Sequence, residues 1–147
     1  MVIVEFLGDL FPSANLIPAD PVLRAKARIF ASVVDTKILE AMRGFFVMGA
    51  DASVVLGSFE ALQALLPHTG FAVGEWSIAD IAAAPFLVRI LMLLENDLGK
   101  YPVGEGKKTL EVLRGPTFAR IMKYVEDIKA WPSFYATWDE VGFYPLT

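Results

Sequence analysis

The chain has 147 residues, of which 55% are hydrophobic, with one histidine, no cysteine and a formal net charge of −4 at pH 7. This length suits a single domain with a conventional core. The lack of cysteine excludes disulfides, thiolate nucleophiles and thiolate metal sites. The acidic balance argues against a nucleic-acid-binding surface, which needs a dense positive charge.

The apolar stretches of the sequence are short. The longest, Ile81 to Val88, ends at Arg89 and cannot span a bilayer. The opening stretch MVIVEFLGDLFP carries two acids and lacks the basic start of a secretory signal. We therefore expect a cytoplasmic protein that makes no membrane contact and binds no nucleic acid.

The first candidate element is Val2 to Leu7, which fits two kinds of structure. Its residues could alternate as a strand, but four of them also share one helical face that Gly8 ends: Val2, Ile3, Phe6 and Leu7. No second strand is evident to pair with it, and an isolated strand leaves its backbone groups unsatisfied. A helix is the better prediction.

Two further helices follow in chain order. Asp20 and Pro21 mark the start of a long one, with Asp20 as cap and Pro21 in the first helical position. Its apolar stripe repeats every three or four residues: Leu23, Ala27, Phe30, Val34, Ile38, Ala41 and Phe45. A second helix is predicted from Ser53 to Leu66, ended by Pro67 and Gly70.

The stretch GEWSIADI predicts the start of a buried helix. Ser77 and Asp80 have the spacing of a reciprocal capping box, with aspartate in the usual glutamate position. Trp76 and Ile81 occupy the two positions of a hydrophobic staple. The residues after Asp80 are apolar on nearly all sides, as in a helix enclosed by others. Pro85 should kink it.

Downstream, helices are predicted from Lys107 to Leu113, from Gly115 to about Ile128, and for a turn or two after Pro132. With strand signals scarce, the sequence predicts an all-α bundle of about five or six helices.

These residues resemble the C-terminal helical domain of cytosolic glutathione transferases, and among them fungal, omega-like members. GEWSIADI fits the family pattern G-x-x-[ST]-x-A-D-I, and Phe71 to Gly74 before it fits F-x-x-G. Leu16 to Pro21 resembles the family's entry into its first long helix, and Trp131 to Phe134 its closing segment. The resemblance covers nearly the whole chain and implies a glutathione transferase C-terminal-like helical bundle.

The resemblance also implies a domain division. Residues 1–10 are similar to the last helix of the family's N-terminal thioredoxin-like domain, and residues 11–147 to the helical domain. The segments that bind glutathione and carry the catalytic Cys, Ser or Tyr belong to the former domain. Glutathione is therefore expected as the co-substrate of a parent protein only, and this chain alone should not conjugate it.

Carried over from the family, the residues lining the hydrophobic-substrate cleft are Met42, Phe45, Phe86, Arg89, Trp138 and Phe143. Apolar side chains around one cation would suit a flat, weakly anionic hydrophobic small molecule. The alternatives stay open, since aromatic residues at helical spacing are more often core, and Arg89 could simply pair with Glu95 or Asp139.

Other residues that suggest chemistry have simpler explanations. Ser77 lacks an adjacent base, so Ser77 and Asp80 are predicted to cap a helix and not to catalyse. His68 fits a solvated loop, GEGKKT fails the spacing of a phosphate loop, and adjacent Glu126 and Asp127 diverge around a helix. No catalytic or metal-binding residue is predicted.

Two functions follow as hypotheses. The chain is either the helical part of a glutathione transferase-like protein, forming the wall for a hydrophobic electrophile, or a non-catalytic module that docks proteins or carries apolar ligands. In both cases the apolar helix faces that would contact the thioredoxin-like domain should be exposed to solvent in this chain. Exposed apolar faces of this kind predict a homo-oligomer or a bound hydrophobic molecule.

Overall fold

The structure is a computed structural model that describes residues 2–139. It is about 72% helical, with seven helices and no strand in that range. The predicted all-α class is confirmed. The helix count exceeds the five or six expected because both ends of the described range, including the short segment after Pro132, form separate helices. None of the described helices is long and apolar enough to cross a membrane.

The helices follow one another with short connections. Their bounds are α1 Val2–Leu10, α2 Pro21–Val33, α3 Leu39–Met42, α4 Ser53–Gln63, α5 Ile78–Glu95, α6 Glu105–Leu113, α7 Ala119–Ala130 and α8 Pro132–Thr137. Two π-helical turns, Val34–Ile38 and Arg43–Val47, join α2 and α3 into one long helix. With this long helix counted once, the eight labelled segments make seven helices. The strand alternative for the first segment is wrong.

The centre of the molecule is α5, which contacts α1, α2, α6 and α7. It is buried on several sides, as its apolar sequence predicted, and Pro85 lies inside it. The predicted stripe of the long helix is buried from Ala27 through Phe45. Leu23 at the start of that stripe is only half-buried.

Asp80 lies at the start of α5 with no exposed surface. Its Oδ2 accepts hydrogen bonds from the Ser77 N–H at 2.8 Å and the Ser77 hydroxyl at 3.1 Å. Its Oδ1 accepts from the Ala72 N–H at 2.9 Å and from the Tyr124 hydroxyl at 2.7 Å. The Ser77 hydroxyl in turn accepts from the Ala79 N–H at 3.3 Å, so the predicted capping box is present. We call Asp80 and its donors Ser77, Ala72 and Tyr124 the Asp80 network.

Burial dominates the electrostatics of this network. It raises the pKa of the Asp80 carboxyl above its ordinary value, although the hydrogen bonds from Ala72, Tyr124 and Ser77 act in the opposite direction. Burial, and then the charge of Asp80, raises the pKa of Tyr124 well above its ordinary value. Tyr124 therefore stays a neutral hydrogen-bond donor, and it ties α7 to the start of α5.

A second carboxylate fixes the start of α6. Asp97 accepts hydrogen bonds from the Gly104 N–H at 2.5 Å and the Gly106 N–H at 2.9 Å. These donors lie within GEGKKT, so two of the N–H groups that an anion would need are already bonded to a carboxylate. The stretch is a helix start and not a phosphate loop.

Tyr101 packs closely against this helix start. A Cβ built on Gly106 would lie 2.5 Å from the Tyr101 hydroxyl and 2.8 Å from the Asp97 carboxylate. Burial, and secondly the charge of Asp97, raises the pKa of Tyr101 to about 12. A larger residue at position 106 would force Tyr101 or Asp97 to move, which favours glycine here.

Gly106→Ala should therefore destabilise the protein by about 1–3 kcal/mol through overpacking. Gly57→Ala is the matched control, because Gly57 also lies in a helix but a Cβ there meets nothing within 4 Å. That control should stabilise by up to about 1 kcal/mol through helix propensity. Urea unfolding midpoints measure both. A Gly106→Ala variant as stable as the Gly57→Ala variant would contradict the packing at Tyr101.

Tyr124→Phe removes one donor from a buried carboxylate and should cost about 1.5–3 kcal/mol of unfolding free energy. Tyr135→Phe is the control, since Tyr135 is 79% exposed, and should stay within about 0.5 kcal/mol of the parent chain. Equal effects of the two substitutions in urea unfolding would show that the hydroxyl of Tyr124 contributes nothing.

The Asp80 network also predicts a pH dependence. Because the pKa of Asp80 is raised above 3.8 in the folded protein, the folded state binds this proton more tightly than the unfolded chain. The contribution of Asp80 to stability is therefore fully present below its unfolded pKa and is lost as pH rises through its folded pKa. Asp80→Asn does not titrate, so the stability difference between the parent and this variant should decrease from about pH 4 towards pH 7. Unfolding at a series of pH values tests this, and a difference that grows with pH would overturn the direction.

Candidate functional site

One cavity of about 460 Å³ lies between α5 and α8. We call it the α5/α8 cavity. Most of its wall is apolar, and the described lining residues are Trp76, Ile81, Ala84, Pro85, Arg89, Ser133, Phe134, Thr137 and Trp138. Its volume falls within the range of small-molecule sites.

The start of α5 determines which side chains reach this cavity. Ile81, Pro85 and Arg89 recur every four residues, so they share one face of the helix. Trp76 directly precedes the capping Ser77 and lies at the same end. Because the Asp80 network fixes where α5 begins and how it is turned, it also determines that this face borders α8.

Stacked aromatic rings hold α8 in place. The ring of Trp76 stacks on that of Trp131 at 4.9 Å between centroids, with 12° between the planes. Phe71 meets each of them edge-on at 5.1 Å. Trp131 is the residue before α8, so these contacts fix where the helix starts. Within and just after α8, Phe134 stacks on Trp138 at 5.2 Å.

Arg89 gives the cavity its polarity. Among the described lining residues it alone carries a charge, and its side chain is half-buried. Glu95, one of the two partners considered for it, bonds to Arg114 at 3.2 Å, and Arg89 has an interaction of its own within the structure. A guanidinium beside tryptophan and phenylalanine rings favours a flat molecule with an acidic hydroxyl or carboxylate at one end.

The described residues among the six predicted lining positions do not all lie in one cavity. Arg89 and Trp138 lie in the α5/α8 cavity. Met42 and Phe86 are half-buried, pack against the core, and do not line this cavity. Phe45 is fully buried and stacks on Tyr101 at 4.4 Å, so in this structure it is a core residue. Phe143 lies outside the described residues.

The structure adds lining residues that sequence reasoning did not assign to the site. Trp76 was explained by the hydrophobic staple alone, and Phe134 only by its place in a family segment. The four-residue spacing of Ile81, Pro85 and Arg89 was a usable signal for one face of α5. Nothing local to α8 indicated that it would lie against that face.

The described residues give no support to a catalytic or metal centre elsewhere. Ser77 and Asp80 are buried and hydrogen-bonded to each other, so neither faces a substrate. His68 is exposed in a loop whose carbonyls at Pro67 and Gly70 accept hydrogen bonds from Arg120, each at 2.6 Å. Within residues 2–139, no group of three or more His, Asp or Glu side chains is arranged to hold a metal ion.

Comparison with known proteins gives related sequences and structures. No protein-family model matches the chain. A probable glutathione S-transferase of Nicotiana tabacum is 27% identical over 125 residues, which cover 82% of this chain and 52% of that protein. The crystal structure of glutathione transferase Omega 1C from Trametes versicolor is 46% identical, with a TM-score of 0.92 over 96% of this chain and 60% of that one.

A second structure, glutathione transferase Omega 2S from Trametes versicolor in complex with 2,4-dihydroxybenzophenone, is 42% identical. Its TM-score is 0.89 over 94% of this chain and 60% of that one. The chain thus spans between half and two-thirds of the length of these relatives. It belongs to the glutathione transferase family, and its described residues have the fold of that family's C-terminal helical domain.

Proposed function

We propose that this chain forms the hydrophobic-substrate wall of a glutathione transferase and that the α5/α8 cavity is the binding site. The observation that carries the proposal is the combination of Trp76, Phe134 and Trp138 with Arg89 in one cavity. The aromatic rings offer stacking surfaces, and the guanidinium offers an anchor for an acidic hydroxyl. The ligand in the related Omega 2S structure, 2,4-dihydroxybenzophenone, has this chemistry: two aromatic rings and two phenolic hydroxyls.

On this proposal the chemistry is divided between two parts of a parent protein. Glutathione, as co-substrate, would be held and activated by a thioredoxin-like domain, with residues 1–10 as the last helix of that domain. Its thiolate would attack an electrophilic molecule placed by the helical domain. The chain itself has no cysteine and would be inactive alone. Met42, Phe86 and Phe143 stay predicted contacts of the hydrophobic substrate.

A second candidate is a non-catalytic carrier of apolar ligands. It is supported by the chemistry of the α5/α8 cavity, because the groups proposed to contact a ligand, namely Trp76, Phe134, Trp138 and Arg89, all belong to this chain. The function would then be to bind an apolar ligand, without transfer of glutathione to it. A cytoplasmic location and self-association belong to both candidates as proposals, the latter supported by exposed apolar side chains on α1.

We expect the 147-residue chain to bind 2,4-dihydroxybenzophenone, measured by calorimetry and by quenching of tryptophan fluorescence. Arg89→Met should weaken binding about tenfold, equivalent to about 1.4 kcal/mol, because the acidic hydroxyl loses its cation. Trp138→Ala should weaken it by a similar factor through lost stacking. Arg114→Met is the matched control, since Arg114 lies in an exposed ion pair outside this cavity, and it should change nothing.

Glutathione is the comparison ligand in the same calorimetry and should bind weakly or not at all. Unchanged affinity for the benzophenone in both cavity variants would overturn the proposed site. Micromolar affinity for glutathione would overturn the proposed division between two domains. Circular dichroism of each variant checks that it is folded.

A further inference from the structure

A second cavity, of about 380 Å³, lies beside the candidate site, at the end of α7 and along α8. We call it the α7/α8 cavity. Its described lining residues are Lys129 in the last turn of α7, and Phe134, Tyr135 and Trp138 in or directly after α8. Phe134 and Trp138 also line the α5/α8 cavity. The two cavities therefore meet at one pair of stacked rings, whose centroids are 5.2 Å apart.

The helical spacing of α8 explains why one pair of rings borders both cavities. Phe134 and Trp138 are four residues apart and share a face of the helix, and the Trp138 N–H donates to the Phe134 carbonyl at 2.9 Å. Thr137 lies on one side of this face and lines the α5/α8 cavity, whereas Tyr135 lies on the other side and lines the α7/α8 cavity. A flat ligand that stacks on the two rings can therefore extend from one cavity into the other.

Lys129 gives the α7/α8 cavity a positive charge that no acid of the described structure neutralises. No ion pair to this lysine is present within residues 2–139, and no acidic residue is among the described lining residues of the cavity. Glu126, one turn earlier on α7, lines a neighbouring groove instead. A lysine can lay its apolar stem along aromatic surface while its ammonium group stays in water. This cavity therefore favours an anionic group attached to an aromatic ring.

We propose that the α7/α8 cavity extends the candidate site and selects elongated, two-ring aromatic ligands that carry a carboxylate at their far end. The first ring would lie in the α5/α8 cavity with its acidic hydroxyl at Arg89, and the carboxylate would contact Lys129. Lys129 is thus a specificity-determining residue and takes no part in bond making or breaking. This inference rests on the proposed function, because it takes the α5/α8 cavity as the binding site of the hydrophobic substrate.

The separation of the two cations favours an elongated ligand over a compact one. Arg89 lines the α5/α8 cavity and Lys129 does not, and the rings of Phe134 and Trp138 stand between the two cavities. A single-ring ligand would reach one cation, whereas a two-ring ligand with an acidic group at each end would reach both. An exposed ion pair adds little affinity. Lys129 should therefore discriminate between ligands more than it determines whether they bind.

Three ligands with one scaffold test this assignment. They are 2,4-dihydroxybenzophenone, 4-(2,4-dihydroxybenzoyl)benzoic acid, which adds a carboxylate at the far end of the second ring, and the methyl ester of that acid, which has similar length without the charge. In calorimetry at low salt, the 147-residue chain should bind the acid about threefold to fivefold more tightly than the ester. This preference should disappear at about 0.5 M salt, because exposed ion pairs are screened.

Variants of the two cations show where the carboxylate binds. Lys129→Met should abolish the preference for the acid over the ester and leave the affinity for 2,4-dihydroxybenzophenone unchanged. Arg89→Met should weaken all three ligands and keep the preference. Lys107→Met is the matched control, because it removes the same charge from an exposed position on α6 whose side chain is in the described lining of neither cavity. It should keep both the affinities and the preference.

The outcomes separate this inference from the proposed function on which it rests. If the parent chain binds all three ligands but does not prefer the acid, or if Lys129→Met keeps the preference, the role given to Lys129 is wrong and the α5/α8 site stands. A preference that Arg89→Met abolishes and Lys129→Met keeps would mean that the carboxylate binds in the α5/α8 cavity, which contradicts the extension. If the parent binds none of the three, the proposed site fails and its extension fails with it.

Discussion

The fold depends on a buried carboxyl group that accepts its hydrogen bonds from neutral donors, with no ion pair to it within residues 2–139. Asp80 is fully enclosed, and each of its oxygens accepts two hydrogen bonds. Such a group is costly to bury unless its acceptor sites are filled. The donors come from the loop before α5, from the cap of α5 and from α7, so satisfying this one group fixes three segments relative to each other. The Tyr124 ring also packs edge-on against Phe30 of α2, which extends the constraint to the long helix.

The candidate site follows from that constraint. With the start and rotation of α5 fixed, the face at Ile81, Pro85 and Arg89 points to one side of the bundle. Trp76, directly before the cap, then stacks on Trp131 and determines where α8 begins. The cavity thus lies between two helices, α5 and α8, whose positions both depend on the Asp80 network and on the stacking of Trp76 on Trp131. The stability of the fold and the shape of the candidate site are therefore physically linked in this domain.

Two surfaces of the molecule have different physical characters. The α5/α8 cavity is concave, aromatic and contains a guanidinium, which suits a small flat ligand. The exposed apolar side chains of α1, among them Val2, Ile3 and Phe6, form a convex face that suits contact with another segment of protein. The chain covers 60% of the length of the related omega structures. On the proposed function, this chain supplies shape and apolar surface, and other residues of a parent protein activate the thiol.

The sequence by itself determined what depends on neighbours within about four residues: the Ser77–Asp80 capping box, the buried stripe from Ala27 to Phe45, the all-helical class and the family pattern. Tertiary structure decided the rest. Tyr124 donates to Asp80 from 44 positions away, Tyr101 stacks on the buried Phe45, and Asp97 accepts the hydrogen bonds that begin α6. Helical periodicity tells which face is apolar, but not which neighbour covers it, because that depends on how helices cross. For this reason Arg89 and Trp138 could be named from the sequence, while the cavity that joins them to Trp76 and Phe134 could not.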